Sequence, residues 1–208
     1  MYFLENSERL NRYQCGFRMG HSTTDHLVRL ETANCETFIK RQHCLSFFST
    51  SRKHMILFGD MAFYAIYTHW EFVDLFQGRT FRVQPGSTPS RPFVQENGVP
   101  QGSVLSVTLF VAKMDSVVSA IPPSVKYSLY VDDIHISCSS SNISMCERQL
   151  QLTINKLTKW SRENGFKFSP DKTLCVCFSR LRGVIPEPTL KMNGHDLVVR
   201  PAHTVNPR

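Results

Sequence analysis

At Tyr130-Val131-Asp132-Asp133 two adjacent carboxylates interrupt an apolar stretch running from Lys126 to Cys138. Leu129, Val131, Ile134, Ile136 and Cys138 give the flanks strand character, and the acids fall where two strands must turn. Adjacent carboxylates at a rigid hairpin tip repel each other unless positive charge sits beside them. A Mg²⁺ ion suits such a place, because it takes oxygens from one or two carboxylates and shares its other positions with phosphates. A solvated turn would present the same four residues, since Asp is common in turns. The tetrapeptide alone does not separate these readings.

A second unusual segment lies upstream. Asn97-Gly-Val-Pro-Gln-Gly-Ser103 runs directly into the apolar stretch Val104 to Val111. Gly98, Pro100 and Gly102 make a tight loop poor in side chains, and Ser103 is a suitable N-cap for the helix that follows. A loop of this kind lets a backbone or a flat base approach without a Cβ in the way. It would equally serve as an ordinary turn before a buried helix.

Several elements must position these segments. Asp25 to about Lys40 is predicted helical, with Leu27, Val28, Leu30 and Glu31 in register and Ser22 or Thr23 near the cap. Short strands are expected at Phe81–Val83 and Phe93–Gln95. Ser103–Ala120 should be a buried helix stopped by Pro122-Pro123. Ser144-Met-Cys-Glu147 reads as a capping box opening a helix with Leu150, Ile154, Leu157 and Trp160 on its apolar face, closed by Asn164-Gly165. Leu174–Phe178 should return as a strand. This order suits an α+β fold with helices packed on one face of an antiparallel sheet.

Composition sets broader bounds. A chain of 208 residues can bury one substantial core, and a net charge of +7 suits a polyanionic partner. Seven cysteines without paired CxxC spacing are read as reduced thiols, which points to a cytoplasmic or nuclear location rather than secretion. No apolar run approaches a membrane span, the N-terminus does not read as a signal peptide, and nothing in the sequence points to a protein partner.

Taken together, GVPQGSVLS and the following YVDD resemble the palm of a reverse transcriptase of the kind carried by non-LTR retrotransposons. Gln14-Cys-Gly-Phe-Arg-Met-Gly-His-Ser-Thr-Thr-Asp25 is similar to the family's fingers motif. Asn164-Gly-Phe-Lys-Phe-Ser-Pro-Asp-Lys-Thr173 resembles the segment after the catalytic hairpin. Leu190-Lys-Met-Asn-Gly-His-Asp-Leu197 resembles the primer-grip hairpin, with Asn193-Gly194 as a type I′ turn signal. The resemblance implies an α+β reverse-transcriptase-like palm with partial fingers and no thumb. The resemblance covers roughly residues 8 to 200; the domain is drawn over 1–200, and 201–208 are left as a tail. An endonuclease segment is likewise not visible.

The resemblance implies RNA-directed DNA synthesis, with an RNA template, a DNA primer and deoxynucleoside triphosphates as partners. Two Mg²⁺ ions would stabilise charge on the attacking 3′-hydroxyl and the departing pyrophosphate. Asp132 is assigned as the principal metal ligand and Asp133 as a weaker one. Tyr130 is placed against the incoming nucleotide or primer end, Gln101 and Gly102 beside the templating pair, and Arg18 near the triphosphate or template. Lys172 would meet the pyrophosphate as a charge or a proton donor.

One block departs from the family. There the first palm strand ends Phe-Phe-Asp and continues Leu-Glu-Lys-Ala-Tyr-Asp. This chain reads Phe47-Phe48-Ser49 and then Thr-Ser-Arg-Lys-His-Met-Ile56. Ser49 stands where the metal-binding Asp belongs, and a hydroxyl does not replace an anionic ligand. Asp60, after Met55-Ile-Leu-Phe58, is a loose substitute as a metal ligand. The chain is therefore expected to be inactive. Its alternatives are a remnant that only binds nucleic acid, or a pseudogene product without a stable fold.

The departure has a specific form. The family's Asp-Leu-Glu-Lys-Ala-Tyr-Asp, written GAC CTC GAG AAA GCA TAT GAT and read one base late, gives Thr-Ser-Arg-Lys-His-Met, then Ile when A follows. These are Thr50 to Ile56 in order, although the synonymous codons were chosen to fit. Residues 49–77 are thus expected to be read out of frame and to form an irregular region, with the frame recovering near Gly78-Arg79. Sequencing the gene across codons 44 to 80 should reveal an Asp-x-x-x-Ala-Tyr-Asp pattern in the shifted frame. Its absence from all three frames would refute the explanation.

Overall fold

The computed structural model describes residues 10–51, 79–94, 104–180 and 187–202. Its centre is a five-stranded sheet in the order β4-β5-β1-β6-β9. The strands are β1 (His43–Thr50), β4 (Lys126–Tyr130), β5 (Asp133–Ser140), β6 (Leu174–Phe178) and β9 (Val199–Pro201). Neighbours pair antiparallel except β6 and β9, which run parallel. Strands β2 (Thr80–Phe81) and β3 (Phe93–Val94) form one small ribbon, and β7 (Leu190–Met192) and β8 (His195–Leu197) form another.

Period-two alternation gives the sheet two different faces. Leu45 and Phe47 of β1, Ile134, Ile136 and Cys138 of β5, and Cys175 and Cys177 of β6 line the apolar face. Helix α3 (Ile143–Glu163) packs there through Leu150, Ile154, Leu157 and Trp160, all buried. Helix α2 (Val104–Asp115) contributes Phe110 and Met114 to the same core and continues as a 3₁₀ segment, Ser116–Ala120. The expected single helix over 103–120 therefore tightens over its last five residues, before Pro122-Pro123.

The other face is small and polar: Ser46, Ser128, His135 and Ser137 are all buried. Helix α1 (Thr23–Ile39) is tied to this face by Thr37, whose hydroxyl lies 2.8 Å from that of Ser139, and by His26, whose Nδ1 lies 2.7 Å from the Ser128 hydroxyl. The helix buries Ala33, Asn34 and Thr37, whereas Leu27 and Val28 are more than half exposed. The expected register is corrected accordingly: a narrow stripe of small side chains, not the leucine-valine face, meets the sheet.

Caps explain where the helices start. Ser22 caps α1 in a capping box, with Asp25 returning a bond to the Ser22 amide at 2.7 Å. The expected box at Ser144–Glu147 does not form. Asn142 is the cap of α3, its Oδ1 accepting from the Ser144 amide at 2.9 Å, and Glu147 instead accepts from the Thr189 amide and hydroxyl. A carboxylate with a distant partner on a neighbouring segment is no longer available to its own cap. Asn193 and Gly194 both have positive φ, as a type I′ turn between β7 and β8 requires.

The expected irregularity from Ser49 onward is corrected at its start. Ser49 and Thr50 continue β1 in register with Ile134 and Asp133, and Ser51 bridges to Phe168. The rest of that stretch, with Asp60, lies outside the described residues, as do Gln101, Gly102 and Ser103. Among the described residues no helix is long and apolar enough to cross a membrane, and all seven cysteines are free thiols.

Leu150→Ala should lower stability by about 2–5 kcal/mol, the range for emptying a fully buried leucine site. Leu152→Ala, on the exposed side of the same helix, should change it by less than about 0.5 kcal/mol. Urea unfolding of the two variants reads the contrast.

Candidate active site

The site forms where three segments end together. Strands β4 and β5 are joined by a two-residue turn, Val131-Asp132, with Tyr130 paired to Asp133. The antiparallel register sets Thr50, the last residue of β1, opposite Asp133. The segment following α3 then crosses the end of β1: Ser51 bridges to Phe168, and the Ser169 amide donates to the Thr50 carbonyl at 3.2 Å. A 3₁₀ turn, Pro170–Lys172, follows immediately and delivers Lys172 to the same end of the sheet.

The two carboxylates face different surroundings. Asp132 Oδ2 accepts from the Ser51 hydroxyl at 2.9 Å and from the Thr50 hydroxyl at 3.2 Å. Asp133 is exposed and opens into a cavity of about 210 Å³ lined also by His26, Phe48, Thr50 and Lys172. The turn therefore places one acid against the hydroxyls of Thr50 and Ser51 and the other on a cavity that Lys172 also lines.

Ser49 is buried, and its hydroxyl lies 2.9 Å from that of Thr173. Thr173 directs its own proton to the Ser169 carbonyl at 2.7 Å, so Ser49 is the donor of the pair. The position is filled by a closed hydroxyl relay that holds the turn after α3 against β1. Among the described residues no group of three or more His, Cys, Asp or Glu is placed to hold a metal ion. Two acids, one of them bonded by two hydroxyls, do not by themselves make a two-ion donor set among the described residues.

Other expected residues stand elsewhere. Tyr130 closes β4 beside the turn. Arg18 folds back on its own loop, donating to the carbonyls of Asn11 at 3.0 Å and Gln14 at 3.2 Å. It also acts electrostatically on the half-buried Asp115, whose carboxyl is raised chiefly by burial. Sequence reasoning did not single out Thr50, Ser51 or His26, whose roles depend on the register of β1 and on α1 crossing the polar face. The only sequence signal was the clustering of hydroxyls after Phe48.

Below His26 lies His135, buried, stacked on Phe48 at 4.6 Å and 3.3 Å through Nε2 from the Ser46 hydroxyl. Burial, reinforced by the neighbouring His26, pushes His135 from 6.5 down to about 3. His26 is also lowered by burial, against the opposing pull of Asp133.

The family model described as reverse transcriptase (RNA-dependent DNA polymerase) matches residues 3–198. The chain belongs to that family, and it is a reverse transcriptase domain of the non-LTR retrotransposon type. A protein named probable RNA-directed DNA polymerase from transposon BS, from Drosophila melanogaster, is 30% identical over 181 residues, covering 80% of this chain and 20% of that protein. An RNA-directed DNA polymerase from mobile element jockey of Drosophila funebris is 27% identical over 194 residues, covering 84% and 20%. The chain thus spans about a fifth of the length of the curated relatives it matches. An apo telomerase from Candida tropicalis, truncated from its C-terminal domain, shares the fold with a TM-score of 0.56 and 14% identity, over 94% of this chain and 41% of that one. Divalent metal ions are general in the family.

The depressed histidines fix the sign of an acid effect. A folded value below the unfolded one means that the unfolded chain binds the extra proton, so the stability contribution is complete above about pH 6.5 and is lost as pH falls toward about 3. The urea midpoint should therefore fall progressively as the pH drops below about 6.5, and His135→Gln should flatten the fall over that window. An unchanged slope in the variant would place the acid sensitivity elsewhere.

Proposed function

We propose that this chain derives from the RNA-directed DNA polymerase of a retrotransposon and has lost the catalytic step. Asp132, Asp133, Tyr130 and Lys172 are the retained half of the site, together with Gln101, Gly102 and Arg18 as substrate or template contacts. The ancestral site would have used two Mg²⁺ ions, an RNA template, a DNA primer and deoxynucleoside triphosphates. A cytoplasmic or nuclear setting fits the free thiols.

The observation that carries the loss is the end of β1. Ser49 is buried in a hydroxyl relay with Thr173, and the next two hydroxyls bond Asp132. An anionic ligand from this strand would stand opposite the acidic turn and complete a shared donor set. Neutral hydroxyls there can orient a carboxylate, but they offer a divalent ion no compensating charge. A frame shift over residues 49–77 accounts for the change, and Asp60 is a weak replacement.

Primer extension on an RNA template with Mg²⁺ tests the reading. This chain should give no product, whereas a version with the reading frame restored across residues 49–77 should extend the primer and lose that ability with Asp132→Ala. Extension by the present chain that disappears with Asp132→Ala would show that its site is complete after all.

A further inference from the structure

Val131 is the only residue of the acidic turn with a positive φ, +57°, although valine is among the residues least suited to that region. A two-residue hairpin with a left-handed first position and an ordinary second one is the arrangement that normally calls for glycine at the first. Branching at Cβ makes this conformation unfavourable for an isolated chain. Something outside the hairpin must hold it, because strained backbone persists where its surroundings over-determine it.

The holder is Gln14, which is fully buried. Its Oε1 accepts from the Val131 amide at 3.0 Å, and its Nε2 faces the Val131 carbonyl at 3.4 Å. One side-chain amide therefore brackets both peptide groups of the strained residue. The same Oε1 accepts from the Gly16 amide at 2.9 Å, which fixes the orientation of the glutamine. Gly16 leaves the necessary room: a Cβ there would lie 2.5 Å from both Val131 Cγ2 and Val131 N.

The loop that carries Gln14 is itself anchored. The Leu129 amide donates to the Tyr13 carbonyl at 3.0 Å and the Cys15 amide to the Leu129 carbonyl at 2.9 Å, so residues 13–15 lie along the outer edge of β4. Asn11 fastens the loop further, its amide donating to Asp115 at 3.0 Å and its side chain to Tyr127 Oη at 2.8 Å.

We propose that Gln14, with Gly16 as its clearance, is the positioning residue of the acidic turn: it locks Val131 left-handed and thereby sets the directions in which Asp132 and Asp133 point. The meaning of those directions rests on the polymerase reading above. The lock itself does not. A glutamine far away in sequence thus governs the geometry of the carboxylates without touching either of them.

Amide hydrogen exchange by NMR, on the whole chain, tests the lock at its own atoms. In the unmodified protein the Val131 amide, at the apex of a two-residue hairpin, should be protected by at least tenfold over an open chain, and this requires no variant. Gln14→Ala should raise its exchange by about tenfold or more, the worth of one buried hydrogen bond, while Leu45 and Phe47 at the sheet centre keep their protection. In Gln14→Ala combined with Val131→Gly, the Tyr130–Asp133 pairing should persist, because glycine holds the turn without help. An unprotected Val131 amide in the unmodified protein would overturn the proposal. So would equal loss of protection at Val131, Leu45 and Phe47 in Gln14→Ala, which would mark Gln14 as a general packing residue. Neither readout depends on primer extension, so failure of the lock and failure of the polymerase reading are separate results.

Discussion

The register of β1 between β5 and β6 is the constraint on which the rest depends. Leu45 stands opposite Cys138 on one side and Cys177 on the other, and Phe47 opposite Ile136 and Cys175. A slip of one residue would turn this row from the apolar core to the polar face under α1, and would lift Ser46 into the core. With the register fixed, the C-terminal end of β1 must lie beside the β4–β5 turn. Everything at the site follows from that adjacency, including the hydroxyls that reach Asp132.

The two faces of the sheet are stabilised differently. Under α3 the contribution is apolar area, from Leu150, Ile154, Leu157 and Trp160 against Phe47 and Ile136. Under α1 it is close approach and hydrogen bonding: small side chains let the helix sit near the strands, and the buried hydroxyls and imidazoles find partners in one another. This polar layer runs to the edge of the cavity at Asp133. It lies beneath the acidic turn and carries the two histidines whose protonation burial disfavours.

Legibility in the sequence varied with how local the physics was. The α3 face, the β7–β8 turn at Asn193-Gly194 and the strand Leu174–Phe178 could be read directly, because each is set by period or turn chemistry within a few residues. The cap of α3 could not. Glu147 is drawn to Thr189, 42 positions away, and the box that its spacing suggests gives way to Asn142. Leu27 and Val28 misled for a related reason, since the polar face that α1 covers selects small residues over large ones. At the site, Asp132, Asp133 and Lys172 were visible as motif positions, and the structure brings the turn and the lysine to one end of the sheet. Gln14 was visible only as the first residue of the fingers motif, with nothing to tie it to the turn, and Thr50 and Ser51 carried no comparable signal.

By itself the sequence determined the family, the twin acids at a hairpin, and a hydroxyl rather than an acid at Ser49, because each is written in residue types and their order. Only the tertiary structure decided what surrounds Ser49 and the acidic turn. Which hydroxyls meet Asp132 and what holds Val131 left-handed depend on contacts spanning from 81 to 117 positions of chain. Such contacts are set by strand register and helix placement, and no local pattern encodes them.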